Sequence, residues 1–226
     1  MFIAFRQRDR FARSAGFDLA ALGLASLLAL TIAGGAHAES ETRQVAPFHA
    51  VSLEGSWTAD VTVGKDTSVV LEGDADVLKH VKTEVSEGKL RVHEEHGWMA
   101  IFSHHDRLVA HITTPSLDAF TRSGSGDSTI AGVTGNAFTV ELDGSGDIKA
   151  SGSAGKLETT INGSGKADLH DLTADDAVVT INGSGDVTVQ ARQSLNGTVN
   201  GSGDIRYIGN PQVSSAIHGS GAVEKK

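Results

Sequence analysis

Six times the sequence writes Gly-Ser-Gly, and the next residue is Asp127, Asp147, Lys166, Asp186, Asp204 and Ala222 in turn. Four carboxylates in equivalent places could bridge a hard cation, since Ca²⁺ takes carboxylate and carbonyl oxygens. The plainer role is structural: an Asp beside a turn accepts N–H bonds from its own corner. The spacing is not the nonapeptide calcium repeat, which favours the plainer role. A second group able to do chemistry lies in HEEHGWMAIFSHHDRLVAH, with His93, His96, His104, His105 and His111. Imidazoles ligate Zn²⁺ or Cu²⁺, but the two His of HEEH are three apart, not four as in H-E-x-x-H. The plainer reading is an exposed polar insert. It also carries Trp98, Ile101 and Phe102, the best candidates for contact with a partner. Gly-Ser-Gly resembles part of a phosphate loop, but it never forms G-x-x-x-x-G-K-[ST] and never joins a strand to a helix. A nucleotide site is therefore not expected.

The elements that position these residues come from a repeat. The tripeptide starts at Gly124, Gly144, Gly163, Gly183, Gly201 and Gly219, with spacings of 20, 19, 20, 18 and 18. A near-constant period of this size marks a solenoid. Two residues before the tripeptide, after its first copy, stand Leu142, Ile161, Ile181, Val199 and Ile217. Six before stand Phe138, Leu157, Ala177, Leu195 and Val213; four after its first Gly stand Ile148, Ala167, Val187, Ile205 and Val223. Apolar residues at even offsets and polar ones at odd offsets give strands with one buried face. Each repeat thus reads as strand, corner and strand, and one such coil cannot bury its face alone. The expected fold is all-β: a single-stranded β-helix of coils about 18–20 residues long, hydrogen-bonded coil to coil at about 4.8 Å. The sequence does not fix its handedness; right-handed winding is the expectation. The closing glycines, Gly126, Gly146, Gly165, Gly185, Gly203 and Gly221, complete sharp corners where a Cβ would be strained. Asn162, Asn182 and Asn200, extended by Asp143 and His218, should stack as a second column.

Residues 1–38 read as a secretory signal: Arg6, Arg8, Arg10 and Arg13, an apolar run from Leu19 to Ile32, and an Ala-His-Ala cleavage site ending at Ala38. The apolar run is short for a membrane span. The full chain has a formal charge of −9; removing those 38 residues takes away four Arg and two Asp and leaves −11. That balance argues against nucleic acid as a partner, and no second apolar stretch is long enough to cross a bilayer. There is no cysteine, hence no disulfide and no lipid-modified cysteine. Residues 39–226 are expected to form one domain, with irregular β-rich opening coils over 39–122 and regular coils over 123–226. A short helix or turn is expected near Val77 to Val81, and LEGS at Leu53 is a decayed copy of the corner.

PFHAVSLEGSWTADVTVG, LEGDADVLKHVKTEVSEGKLRV, HITTPSLDAFTRSGSGD and the serial GSGD that follows resemble the family called putative auto-transporter adhesin, head GIN domain, over roughly 47–221. The resemblance implies a β-helix, a cell-envelope or secreted setting and an adhesin-like role, with no catalytic residues. An auto-transporter also needs a C-terminal membrane barrel, which the sequence after Gly221 does not supply, so a periplasmic or otherwise secreted protein is expected. The expected function is non-enzymatic binding or scaffolding of an envelope protein or glycan, without cofactor apart from the Ca²⁺ considered above. Self-association through an open β-helix end is also expected. The alternative is a carbohydrate-active enzyme, because β-helices host lyases and hydrolases. Against it stand few Arg in the repeats (Arg192 and Arg206), a single Tyr (Tyr207), and neither a G-x-S-x-G motif nor a cysteine nucleophile.

Overall fold

A computed structural model describes residues 39–95 and 108–226. In chain order the elements are β1 (Glu39–Arg43), β2 (Ala50–Glu54), β3 (Thr58–Val63), β4 (Ser68–Gly73), α1 (Ala75–His80), β5 (Val81–Ser86), β6 (Lys89–Glu94), β7 (Val109–Thr114) and β8 (Ala119–Gly124). The long bent strands β9 (Ser128–Gly144), β10 (Asp147–Gly163), β11 (Lys166–Gly183) and β12 (Asp186–Gly201) follow, then β13 (Asp204–Ile208), β14 (Gln212–Gly219) and β15 (Ala222–Lys225). The protein is all-β, a stack of parallel coils with about five turns.

Each long strand is one coil of the solenoid, interrupted only at the Ser-Gly of the corner. Consecutive coils pair in parallel, and the pairing keeps the repeat in register. Leu142, Ile161, Ile181, Val199 and Ile217 lie one above another, as do Phe138, Leu157, Ala177, Leu195 and Val213. Ile148, Ala167, Val187, Ile205 and Val223 form the third row. All but those of the last coil are buried, at roughly 1.5–3 kcal/mol for each large side chain taken out of water. The period-two expectation therefore holds.

The corner explains its own sequence. Gly183 has φ +138°, and a Cβ built there would lie 2.3 Å from the carbonyl oxygen of Gly163 in the coil below. Backbone meets backbone at the turn, and a side chain fits neither the conformation nor the space. Gly55 of LEGS repeats the geometry with φ +141°, and its N–H donates to the Ser123 carbonyl at 2.9 Å. The decayed copy is a working corner.

Residues 39–122 are β-rich, but space and sequence order part company. β2 lies between β6 and β8, and β3 between β7 and β9, all in parallel. The coil built last before the repeats, β6 with β7, is thus the outer one. β4 returns antiparallel along β7, β1 along β4, and β5 along β6. These antiparallel strands close the end of the parallel stack. α1 starts at an N-cap, the Asp74 side chain accepting from the Asp76 N–H at 2.8 Å, and buries Val77 and Leu78.

At the other end the cover is missing from the described residues. β14 pairs only with β12 and β15 only with β13, and Val213 and Ile217 are 41% and 42% exposed.

Candidate functional site

The corner edge carries two columns. In the first, Asp147, Lys166 and Asp186 stand on consecutive coils in register. Three of the four carboxylates, Asp127, Asp186 and Asp204, bond along the axis to the next coil. The Asp147 N–H donates to Asp127 Oδ1 at 3.1 Å, the Asp204 N–H to Asp186 Oδ1 at 3.2 Å, and the Ala222 N–H to Asp204 Oδ1 at 3.0 Å. This departs from the expected own-corner bond for a physical reason. Stacking at one register brings the next coil's N–H above the carboxylate, a donor no single repeat reveals. On the two coils between, the Lys166 N–H donates to the Gly146 carbonyl and the Asp186 N–H to the Gly165 carbonyl, each at 3.1 Å. In the second column, Asn162 donates to Asp143 at 2.6 Å, Asn182 to Asn162 at 2.8 Å and Asn200 to Asn182 at 2.8 Å. The predicted amide ladder is present.

Arg206, on the outer face beside this edge, reaches Asp204 at 2.8 Å, Glu224 at 3.3 Å and Asp186 at 3.9 Å. One guanidinium thus offsets the charge of the Asp186/Asp204 pair. Asp127 acts electrostatically on Arg122.

The histidines do not converge where they are described. His93 lies on β6 opposite Glu54, and its buried Nδ1 has no partner among the described residues. His111 lies on β7 between two carboxylates, Nδ1 3.4 Å from Asp60 and Nε2 3.7 Å from Glu72. His96, His104 and His105, with Trp98, Ile101 and Phe102, lie outside the described residues. Among those described, no group of three His, Asp or Glu could hold a metal ion.

Two features were not anticipated. Arg122 occupies the first apolar row, between Leu53 and Leu142, and is fully buried. Its Nη2 donates to the carbonyl oxygens of Trp57 and, at 3.3 Å, Gly55. The guanidinium lies 4.9 Å from the Trp57 ring centre, a cation–π contact. Its Nε and Nη1 find no partner among the described residues. Burial pushes its pKa down to about 10, against the opposing pull of Asp127.

The second is a groove of about 170 Å³ on the outer face. β11 carries extra residues there: Leu169 pairs with Val189 but Thr173 already pairs with Gln190, so His170–Leu172 have no partner on β12. Leu172 stays buried while His170 and Asp171 are exposed. His170 Nδ1 lies 2.7 Å from Asp168 and Nε2 lies 3.2 Å from Asp171. Burial alone would raise the pKa of Asp168, but the hydrogen bond with His170 and the charges of His170 and Lys166 outweigh it and hold the carboxyl below its usual value. The sequence did contain a signal. The tripeptide spacing falls from 20 to 18 across β11 and β12, so the longer coil must shed residues from the ladder.

A family model described as putative auto-transporter adhesin, head GIN domain, matches residues 47–211. The fold is similar to a structure described as a putative adhesin from Bacteroides fragilis, with a TM-score of 0.69 at 20% identity over 85% of this chain and 98% of that one. A putative lipid binding protein from Parabacteroides distasonis gives a TM-score of 0.56 at 20% identity, and a putative adhesin from Parabacteroides merdae 0.56 at 17%, each over 85% of this chain and 98% of theirs. At these identities the likeness is one of fold. No functionally curated protein matches the chain.

Proposed function

Because the chain belongs to the putative auto-transporter adhesin, head GIN domain family, we propose that it is a non-enzymatic, adhesin-like binding module of the cell envelope or its surroundings. After removal of residues 1–38 it works as a periplasmic or secreted rod that recognises an envelope protein or glycan. The observation that carries this reading is the use of its carboxylates. Asp127, Asp186 and Asp204 of the corner edge accept backbone N–H bonds from the next coil, which makes them parts of the scaffold.

A glycoside hydrolase needs one carboxylic acid kept protonated opposite a second carboxylate. Asp168, beside the outer-face groove, is held below its usual pKa, which suits an acceptor and not a proton donor. Among the described residues, Glu94 is the carboxyl that burial raises. It belongs to the Gly55 corner, where its Oε1 would lie 3.0 Å from a Cβ on that glycine. These placements favour binding over the alternative of a carbohydrate-active enzyme.

The exposed Val213 and Ile217 on an unpaired strand edge are where a second copy would dock. No helix among the described residues is long and apolar enough to cross a membrane. The test is retention of the purified chain on envelope extract, with polysaccharide turnover assayed in parallel. Retention without turnover supports the reading. Turnover abolished by Asp147→Ala or Asp186→Ala would replace it with the enzyme.

A further inference from the structure

The groove at the β11 bulge lies among the outward columns of three consecutive coils. Thr129, Lys149 and Asp168 stack in register across β9, β10 and β11, and Ser151 pairs with Asp171 beside them. The bulge adds His170 and Asp171 at the rim, above the nearly buried Ile130 and Ala150. A bulge re-aims side chains at the cost of ladder bonds, and such bulges are built features rather than defects. Here it places an imidazole between two carboxylates, in contact with both, and fixes all three side chains relative to one another.

The chemistry of the lining selects the ligand class. A metal ion is disfavoured because each imidazole nitrogen faces a carboxylate, so the three groups do not converge on one point; the described residues hold no such triad. A phosphate or sulfate would meet Asp168 and Asp171 at the rim. An amine would meet Lys149. A neutral polyhydroxylated ring satisfies the whole set. An ionised carboxylate has about four acceptor positions, so Asp168 and Asp171 keep free lone pairs after bonding His170. Sugar hydroxyls donate to these, and charge-assisted bonds of this kind are the strong ones. The Lys149 ammonium donates to ring or hydroxyl oxygens. At about 170 Å³, against about 300–1,000 Å³ for sites that enclose drug-sized ligands, the groove takes one ring of a longer chain.

We propose that the groove formed by Lys149, Asp168, His170 and Asp171 is a saccharide subsite that binds one neutral sugar unit of a surface glycan. This rests on the reading of the chain as a non-enzymatic binder and gives that reading a place and a ligand chemistry. A shallow single-ring site binds in the millimolar range, and useful adhesion comes from many copies engaging a repeating glycan.

The experiment is an amide-shift titration of the purified chain with neutral hexoses and N-acetylhexosamines, with a uronic acid, inorganic phosphate and Ca²⁺ as comparison ligands. The expected result is saturable shifts at residues 129–130, 149–151 and 168–171 with a neutral sugar. Binding should weaken at least tenfold in Asp171→Asn and in Lys149→Ala, with the melting temperature unchanged. The proposal is overturned if no neutral sugar shifts these residues in a chain that melts normally, or if phosphate, uronate or Ca²⁺ binds there instead. Retention on envelope extract is measured on the same variants. Retention without any groove shift sinks the subsite and leaves the adhesin-like reading standing. Sugar shifts without retention uphold the subsite and sink that reading, whereas turnover of the bound sugar sinks both.

Discussion

Arg122 shows what a single residue can do against the pattern of its row. It enters a column of Leu, Ile and Val because Trp57 offers a ring and a carbonyl oxygen, and because Gly126 leaves room. A Cβ at Gly126 would collide with both Arg122 Nη2 and the Trp57 oxygen. The buried charge is only partly compensated, and replacing such groups by apolar ones of similar size is often neutral or better. Arg122→Leu should therefore stay within about 1 kcal/mol of the parent in chemical denaturation, while Arg122→Ala, which opens a cavity, should cost about 2–4 kcal/mol. Asp168 gives a pH signature. Its folded pKa lies below the ordinary 3.8, so its stabilisation is present above that value and is lost as pH falls through the lower folded one. The melting temperature of the parent minus that of Asp168→Asn should accordingly be positive near neutrality and vanish in strong acid. For an ion pair at the surface of the stack the effect should stay under about 1 kcal/mol. Both residues were hard to read beforehand. Arg122 interrupts an otherwise apolar row between Leu53 and Leu142. Asp168 gains meaning only when Lys149, one coil away, and Thr129, two coils away, stand in line with it.

At the scale of the element, the coil was the legible unit. The tripeptide period and the even-offset rows are local, so they survive in one sequence, and the structure stacks them as expected. What local reading lacks is the neighbour. The Asp column was assigned to its own corner because the true donor sits on the coil above. The order of β2, β6 and β8 was not legible because antiparallel return strands carry no period. The corner itself makes a sharp prediction. Gly183→Ala forces a side chain into φ +138° and against the Gly163 carbonyl, and should destabilise by about 2–4 kcal/mol or prevent folding. Gly135→Ala is the control. Its built Cβ meets only the Ala137 oxygen, at 3.6 Å, at an ordinary φ, so it should fall within about 0.5 kcal/mol of the parent. Asn182→Ala breaks the amide ladder on both sides and should cost about 1 kcal/mol. Equal losses for the two glycine variants would remove the backbone-contact explanation of the corner.

For the whole molecule, antiparallel strands cover one end of the parallel stack, and at the other end, among the described residues, β14 and β15 pair on one side only. If residues 1–38 are removed on export, amino-terminal sequencing of the exported protein should begin at Glu39; retention of Met1 would contradict that. If a second copy docks on the open end, Ile217→Lys should shift sedimentation toward the monomer without lowering the melting temperature. The central claim is that the rod binds and does not catalyse. It is tested most directly by passing the purified chain over envelope extract and glycans and assaying the same samples for cleaved products. The account predicts a retained chain and intact glycans, whereas an unretained chain, or shortened glycans beside a catalytically competent parent, would contradict it.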